Sequence, residues 1–172
     1  CILKACGSAG ALDQGSKIHE EIMRAGLLET DIVIGTALID MYAKCGKLTR
    51  AKEVLEELPH RNIVSWSSLI AGYAQEGQTD EALICFEHML SEGLPPNDVT
   101  FACVLKACSY VVARGKGQEI HEEIERRGLL ERNIFLGSTL VDMYARFGYL
   151  RKAKEVFDNI PITRNDVTWN TL

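Results

Sequence analysis

The sequence predicts an all-α protein, an α-solenoid of stacked antiparallel helix–turn–helix repeats. Three observations carry that expectation. The chain is duplicated at an offset of 102 residues, each 102-residue block divides into units of 31, 35 and 36 residues, and each unit holds two helically spaced apolar stripes punctuated by Gly and Pro. The duplication is unmistakable. Lys4-Ala5-Cys6 returns as Lys106-Ala107-Cys108, Ile18-His19-Glu20-Glu21-Ile22 as Ile120-His121-Glu122-Glu123-Ile124, and Asp40-Met41-Tyr42-Ala43 as Asp142-Met143-Tyr144-Ala145. Residues 1–59 and 103–161 are identical at 31 of 59 positions. The units run 32–62, 63–97, 98–133 and 134–165, with a partial unit over 1–31 before them and the start of another over 166–172.

Each unit reads as two helices. Ala37, Leu38, Met41, Tyr42 and Cys45 form a helical stripe over 36–45, and Ala51, Val54, Leu55 and Leu58 form one over 50–58. Leu38-Ile39, Leu69-Ile70, Val104-Leu105 and Leu140-Val141 are expected to open the first helical stretches. Gly46, Gly77 and Gly148 suit the left-handed position that closes a helix, and the long unit is expected to turn around Arg114-Gly115. Pro59, Pro95-Pro96 and Pro161 end second helices, and Gly26, Gly93 and Gly128 follow second-helix patterns. One such helix pair cannot bury its apolar face alone, whereas stacked neighbours can, which implies a solenoid with a concave inner face.

Composition narrows the function. At 47% hydrophobic and 25% charged residues the chain is that of a folded soluble protein, and no apolar run approaches the roughly 20 residues that span a bilayer. No signal or transit segment is visible, and the chain opens at Cys1 and stops at Leu172 inside repeats, as a piece of a longer array would. The net charge of −5 counts against nucleic-acid binding by charge alone, but leaves open a groove that works by stacking and base-edge hydrogen bonds. The six cysteines, Cys1, Cys6, Cys45, Cys85, Cys103 and Cys108, contain no C-x-x-C. They read as small core residues, with a disulfide or metal framework as the alternative.

At specific strings the chain resembles the pentatricopeptide repeat (PPR) family, and within it the plant organellar PLS subclass, which alternates P, L and S motifs. Val104-Leu105-Lys106-Ala107-Cys108 with Gly117-Gln118-Glu119-Ile120-His121 is similar to the long (L) motif. The run Gly35-Thr36-Ala37-Leu38-Ile39-Asp40-Met41-Tyr42-Ala43-Lys44-Cys45-Gly46 is similar to the short (S) motif. Val64-Ser65-Trp66-Ser67-Ser68-Leu69-Ile70-Ala71-Gly72-Tyr73 with Glu81-Ala82-Leu83 is similar to the normal (P) motif. The resemblance makes 1–31 a partial L motif, 32–62 an S motif, 63–97 a P motif, 98–133 an L motif, 134–165 an S motif and 166–172 the start of a P motif. Tetratricopeptide repeats share the helix-pair shape but keep a constant 34 residues, which this alternation does not fit.

What the resemblance implies is single-stranded RNA recognition at one base per repeat. In the family, the fifth and last residues of a motif contact the base edge and the second packs on the base faces. Carried onto this chain, the base-reading pairs are Thr36 with Asn62, Ser67 with Asn97, Ala102 with Asn133, and Ser138 with Asn165. The partial first motif leaves Asp31 and the last one Asn170. A hydroxyl with Asn resembles the adenine-selecting combination, and Asn can both donate and accept as adenine requires. Ala102 cannot hydrogen-bond through its side chain, so the L motif is expected to read poorly. Asn170 leans to pyrimidine, so the expected site is A-A-N-A-pyrimidine, 5′ to 3′. The base-packing positions are Val33, Val64, Val99, Phe135 and Val167, with core residues as the plainer reading. Lys44 and Arg146, at matching places late in first helices, are suggested phosphate contacts; the alternative is a solvated cation complementing a helix C-terminus.

Other chemistry finds no support in the motifs. His19-Glu20-Glu21 and His121-Glu122-Glu123 match H-x-E of zinc deaminases, but P-C-x-x-C is missing and the two strings are copies of one repeat position. No H-E-x-x-H, P-loop or G-x-S-x-G occurs, so no enzyme, cofactor, metal, membrane or small-molecule substrate is expected. The resemblance implies a mitochondrial or plastid RNA-processing or C-to-U editing factor, to which this chain would supply the address, with editing or processing proteins as further partners. The competing expectation is a helical-repeat scaffold for protein partners.

Overall fold

A computed structural model of the chain describes residues 2–160. Among them are eleven helices: α1 (Ile2–Ala9), α2 (Leu12–Arg24), α3 (Leu27–Thr30), α4 (Ile32–Lys44), α5 (Leu48–Glu57), α6 (Ile63–Gln75), α7 (Thr79–Ser91), α8 (Asp98–Val111), α9 (Arg114–Arg126), α10 (Ile134–Arg146) and α11 (Leu150–Asn159). No strand occurs among the described residues. The chain divides into two compact units, one up to Pro96 and one from Asn97.

In the first unit, α1, α4 and α6 pack side by side, and α4 and α6 each pack against their own second helix, α5 and α7. The core of α4 is Leu38, Ile39, Met41 and Tyr42, and that of α6 is Leu69 and Ile70. Each such side chain contributes about 1.5–3 kcal/mol on burial. The approach of α6 to α4 is close because Gly72 has no side chain: a Cβ there would lie 2.8 Å from the Ala43 Cβ. In the second unit α8 packs on α10, α8 on α9 and α10 on α11 around Val104, Leu105, Leu140, Val141, Met143 and Tyr144.

Two local expectations are corrected. The apolar pairs at 38–39, 69–70, 104–105 and 140–141 do not open helices; they lie mid-helix, and the helices begin six or seven residues earlier at Ile32, Ile63, Asp98 and Ile134. The apolar stripe marks the buried face, whereas a polar cap sets the start. The long unit also does not turn at Arg114-Gly115, which lie in α9. The chain turns at Val112, whose φ of 53° is the one positive value at a non-glycine among the described residues. The equivalent residue of the first copy is Gly10, at φ 65°. The short helix α3 is a further element that periodicity does not reveal; it buries Leu28 against the core.

The two H-x-E histidines tie second helices to the next first helix. His19 Nδ1 is 3.0 Å from the Tyr42 hydroxyl, and His121 Nδ1 is 2.8 Å from that of Tyr144, with the rings edge to face in both copies. Burial pushes both imidazoles below their ordinary pKa, and it raises the Tyr144 phenol to about 12. Cys6, Cys45, Cys85, Cys103 and Cys108 are free thiols, with Cys6, Cys85 and Cys108 buried. Burial raises Cys85 and Cys108 to about 11, which leaves them unreactive small core residues.

Candidate nucleic-acid interface

Among the described residues, those assigned to the last place of a motif, Asp31, Asn62, Asn97 and Asn133, turn out to be helix N-caps. Asp31 accepts from the Val33 N–H at 2.8 Å and starts α4. Asn62 accepts from the Ser65 N–H at 2.8 Å and starts α6, while the Ser65 hydroxyl accepts from the Asn62 N–H at 3.0 Å. Asn97 and Thr100 form the same reciprocal box at the start of α8. Asn133 accepts from the Leu136 N–H at 3.1 Å and starts α10. Each cap satisfies a backbone donor that a helix start leaves unpaired.

A cap occupies the carbonyl end of an Asn and leaves its amide donor. The Nδ2 groups of Asn62 and Asn97 have no partner among the described residues. That of Asn133 does: it donates to the Asp98 carboxylate at 2.8 Å. Capping also gives the recurrent Asn a reason of its own.

Two residues beyond each cap stands an apolar side chain that water covers. Val33 is 69% exposed, Val64 55%, Val99 58% and Phe135 68%. None of the four belongs to the core, although the helices that carry them are otherwise apolar on their packed faces. Exposed apolar groups recurring at one register position mark a contact surface more strongly than scattered ones do.

The fifth-place residues lie one turn further in and are more covered. Ser67, Ala102 and Ser138 are buried. The Ser138 hydroxyl donates to the Ile134 carbonyl at 3.0 Å. Thr36 is half-buried, and its hydroxyl oxygen is buried with no hydrogen-bond partner among the described residues. Such an unpaired hydroxyl is costly unless a ligand or water meets it. Lys44 and Arg146 are tied down: Lys44 pairs with Asp40 at 2.7 Å and Arg146 with Asp142 at 2.9 Å, both one helical turn back. The Arg146 guanidinium also lies 5.4 Å from the centre of the Tyr110 ring. Asn165, Val167 and Asn170 lie outside the described residues.

Sequence reasoning missed Asp98 as a partner of Asn133. It also missed the caps, whose signal is present: Asn62 and Asn97 are each followed three residues later by Ser or Thr, a capping-box spacing. Among the described residues no group of three or more His, Cys, Asp or Glu is arranged to hold a metal ion, and no helix is long and apolar enough to cross a membrane.

Comparison with known proteins decides the family. The model of the PPR repeat family matches residues 61–109, and that of the PPR repeat matches 36–63 and 138–161, together more than half of the chain. The chain belongs to the pentatricopeptide repeat family. Similar relatives include a chloroplastic pentatricopeptide repeat-containing protein of Arabidopsis thaliana, 39% identical over 99% of this chain and 27% of its own length. A mitochondrial one from the same plant is also 39% identical, over 99% of this chain and 26% of its own. The chain thus spans about a quarter of the length of the curated relatives it matches. Among solved structures, the PPR protein PPR10 from maize aligns with a TM-score of 0.68 at 26% identity, over 99% of this chain and 25% of that one. PPR10 in complex with an 18-nt psaJ RNA element aligns with a TM-score of 0.72 at 24% identity, over 92% and 24%.

Proposed function

We propose that this PPR chain binds single-stranded RNA sequence-selectively, one base per repeat, and serves as the address of an organellar RNA-processing or C-to-U editing factor of the PLS subclass. The observation that carries the reading is the repeated start of the first helices. There an exposed apolar side chain (Val33, Val64, Val99, Phe135) stands two residues from a capping Asp or Asn. An exposed apolar wedge suits the faces of unstacked bases, and a free amide donor suits their edges. PPR10, which shares the repeat fold, is known in complex with RNA. The chloroplastic and mitochondrial names of the relatives support an organellar site of action.

In this reading the units 32–62, 63–97, 98–133 and 134–165 act as S, P, L and S motifs. Thr36 with Asn62, Ser67 with Asn97, and Ser138 with Asn165 each select adenine. The 98–133 repeat, with Ala102 and Asn133, is tolerant, and Asn170 favours a pyrimidine, which gives A-A-N-A-pyrimidine. Val167 joins the wedges. Lys44 and Arg146 meet phosphate by exchanging their Asp partners for it. No residue is assigned a catalytic role.

The test is binding of labelled RNA carrying A-A-N-A-pyrimidine against an RNA with each A replaced by G. The wild-type chain prefers the first. Asn62→Asp with Asn97→Asp keeps an acceptor for each cap but removes the amide donors. Aspartate only accepts, which fits the N–H groups of guanine, so the preference moves from A towards G at the two nucleotides concerned. Equal binding of both RNAs by both proteins would falsify base reading and favour the scaffold for protein partners. The carboxylate partners of Lys44 and Arg146 are the observation on that side.

A further inference from the structure

The long repeat differs from its neighbours in one contact that its own first residue creates. The first residues of the other three units are Ile32, Ile63 and Ile134, none of which can accept a hydrogen bond through its side chain. The 98–133 unit instead opens with Asp98. Its carboxylate sits at the first turn of α8 and receives the Nδ2 of Asn133, the last residue of the same unit, at 2.8 Å. Both residues are half-buried. The other end of the Asn133 amide is committed to the Leu136 N–H. Asn133 is therefore engaged at both ends, whereas Asn62 and Asn97 keep a free donor.

We propose that Asp98 is a specificity-determining residue that silences the 98–133 repeat by holding the amide donor of Asn133 away from the base. The inference rests on the base-reading assignment above. It adds a second cause of silence to the missing hydroxyl at Ala102, and it makes the two causes separable. A base offered to this repeat meets no side-chain donor at either place, so it is gripped by packing at Val99 and left unread. A charge-assisted hydrogen bond to a carboxylate is stronger than one an uncharged base acceptor offers, so the base does not win the amide by competition.

The experiment restores the two readers in turn and measures the affinity of the chain for four RNAs that differ only at the nucleotide facing this repeat. Ser at position 102 is tolerated, since Ser67 and Ser138 occupy the same place in their repeats and are equally buried. Wild type and Ala102→Ser each bind the four RNAs within about twofold. Ala102→Ser with Asp98→Ala favours adenine by about fivefold, the size of one net hydrogen bond. Ala102→Ser with Asp98→Asn shows a smaller adenine preference than the Asp98→Ala protein, because its neutral amide oxygen still accepts from Asn133 but without charge assistance. Adenine preference in Ala102→Ser alone overturns the proposal, as does a flat Ala102→Ser/Asp98→Ala protein whose Asn62→Asp counterpart still switches its own nucleotide. If Asn62→Asp switches nothing, the base-reading assignment itself falls and takes this inference with it.

Discussion

Val112 holds a backbone conformation that a β-branched residue rarely adopts, at φ 53° and ψ 40°. The reason is topological. The chain must reverse after α8 in the space the duplicated copy uses at Gly10, and the repeat has kept the turn while losing the glycine. The side chain is exposed, so little packing compensates the strain. Val112→Gly relieves a left-handed cost of about 1–2 kcal/mol and adds unfolded-state entropy worth part of it. The expected outcome is a net gain of about 1 kcal/mol, read as a higher urea midpoint at unchanged m-value. A lower midpoint would mean that Val112 makes contacts that outweigh its backbone strain. The one sequence signal for the site is its alignment with Gly10 at the 102-residue offset; Gly115, three residues on, offered the more obvious turn, and the length of α8 decides between them.

At the scale of the element, one residue serves a helix start and, in the proposed function, a base. The two roles make different demands on the Asn side chain. The cap needs an acceptor and the base edge needs the donor. Asn62→Ala removes both and is expected to cost about 1 kcal/mol of stability. Asn62→Asp keeps the acceptor and stays within a few tenths of a kcal/mol of wild type, as Asp31 already demonstrates at the start of α4. Urea denaturation of the two variants separates the roles before any RNA is added. If both variants lose the same stability, the cap does not depend on the acceptor and the division of labour is wrong. The helix pairs themselves were legible because their apolar residues recur with the helical period. The starts were not, because they depend on single capping residues whose pattern is polar and short.

For the molecule as a whole, the proposed function raises the question of how a chain of net charge −5 would meet a polyanion. Part of the acidity lies on second helices, where Glu53, Glu56 and Glu57 of α5 are exposed. On the first helices, Lys44 and Arg146 are each neutralised by an Asp. In the proposed function, binding that relies on wedges and base edges is only mildly salt-dependent, with Lys44 and Arg146 as its assigned phosphate contacts. Lys44→Ala with Arg146→Ala is expected to reduce the slope of log affinity against log salt by about 1.4, two phosphates' worth for a single strand. An unchanged slope would show that both cations stay on their aspartates and touch no phosphate.

The sequence by itself determined the repeat phase, the pairing of helices and the buried faces, because these follow from local periodicity and from a duplication too regular to be chance. It also singled out the positions of the candidate interface through family resemblance. Only the tertiary structure decided what those positions are physically. Val33, Val64, Val99 and Phe135 could equally have been core. They are exposed because they lie on the unpacked face of the first turn, whereas Trp66, Phe101 and Leu136 in the same turns are buried. The bonds from His19 to Tyr42 and from His121 to Tyr144 reach 23 residues along the chain, and that from Asn133 to Asp98 reaches 35. Such pairings are set by how helices stack, which no local pattern encodes, and so the difference between an Asn with a free amide donor and one engaged at both ends became visible only in three dimensions.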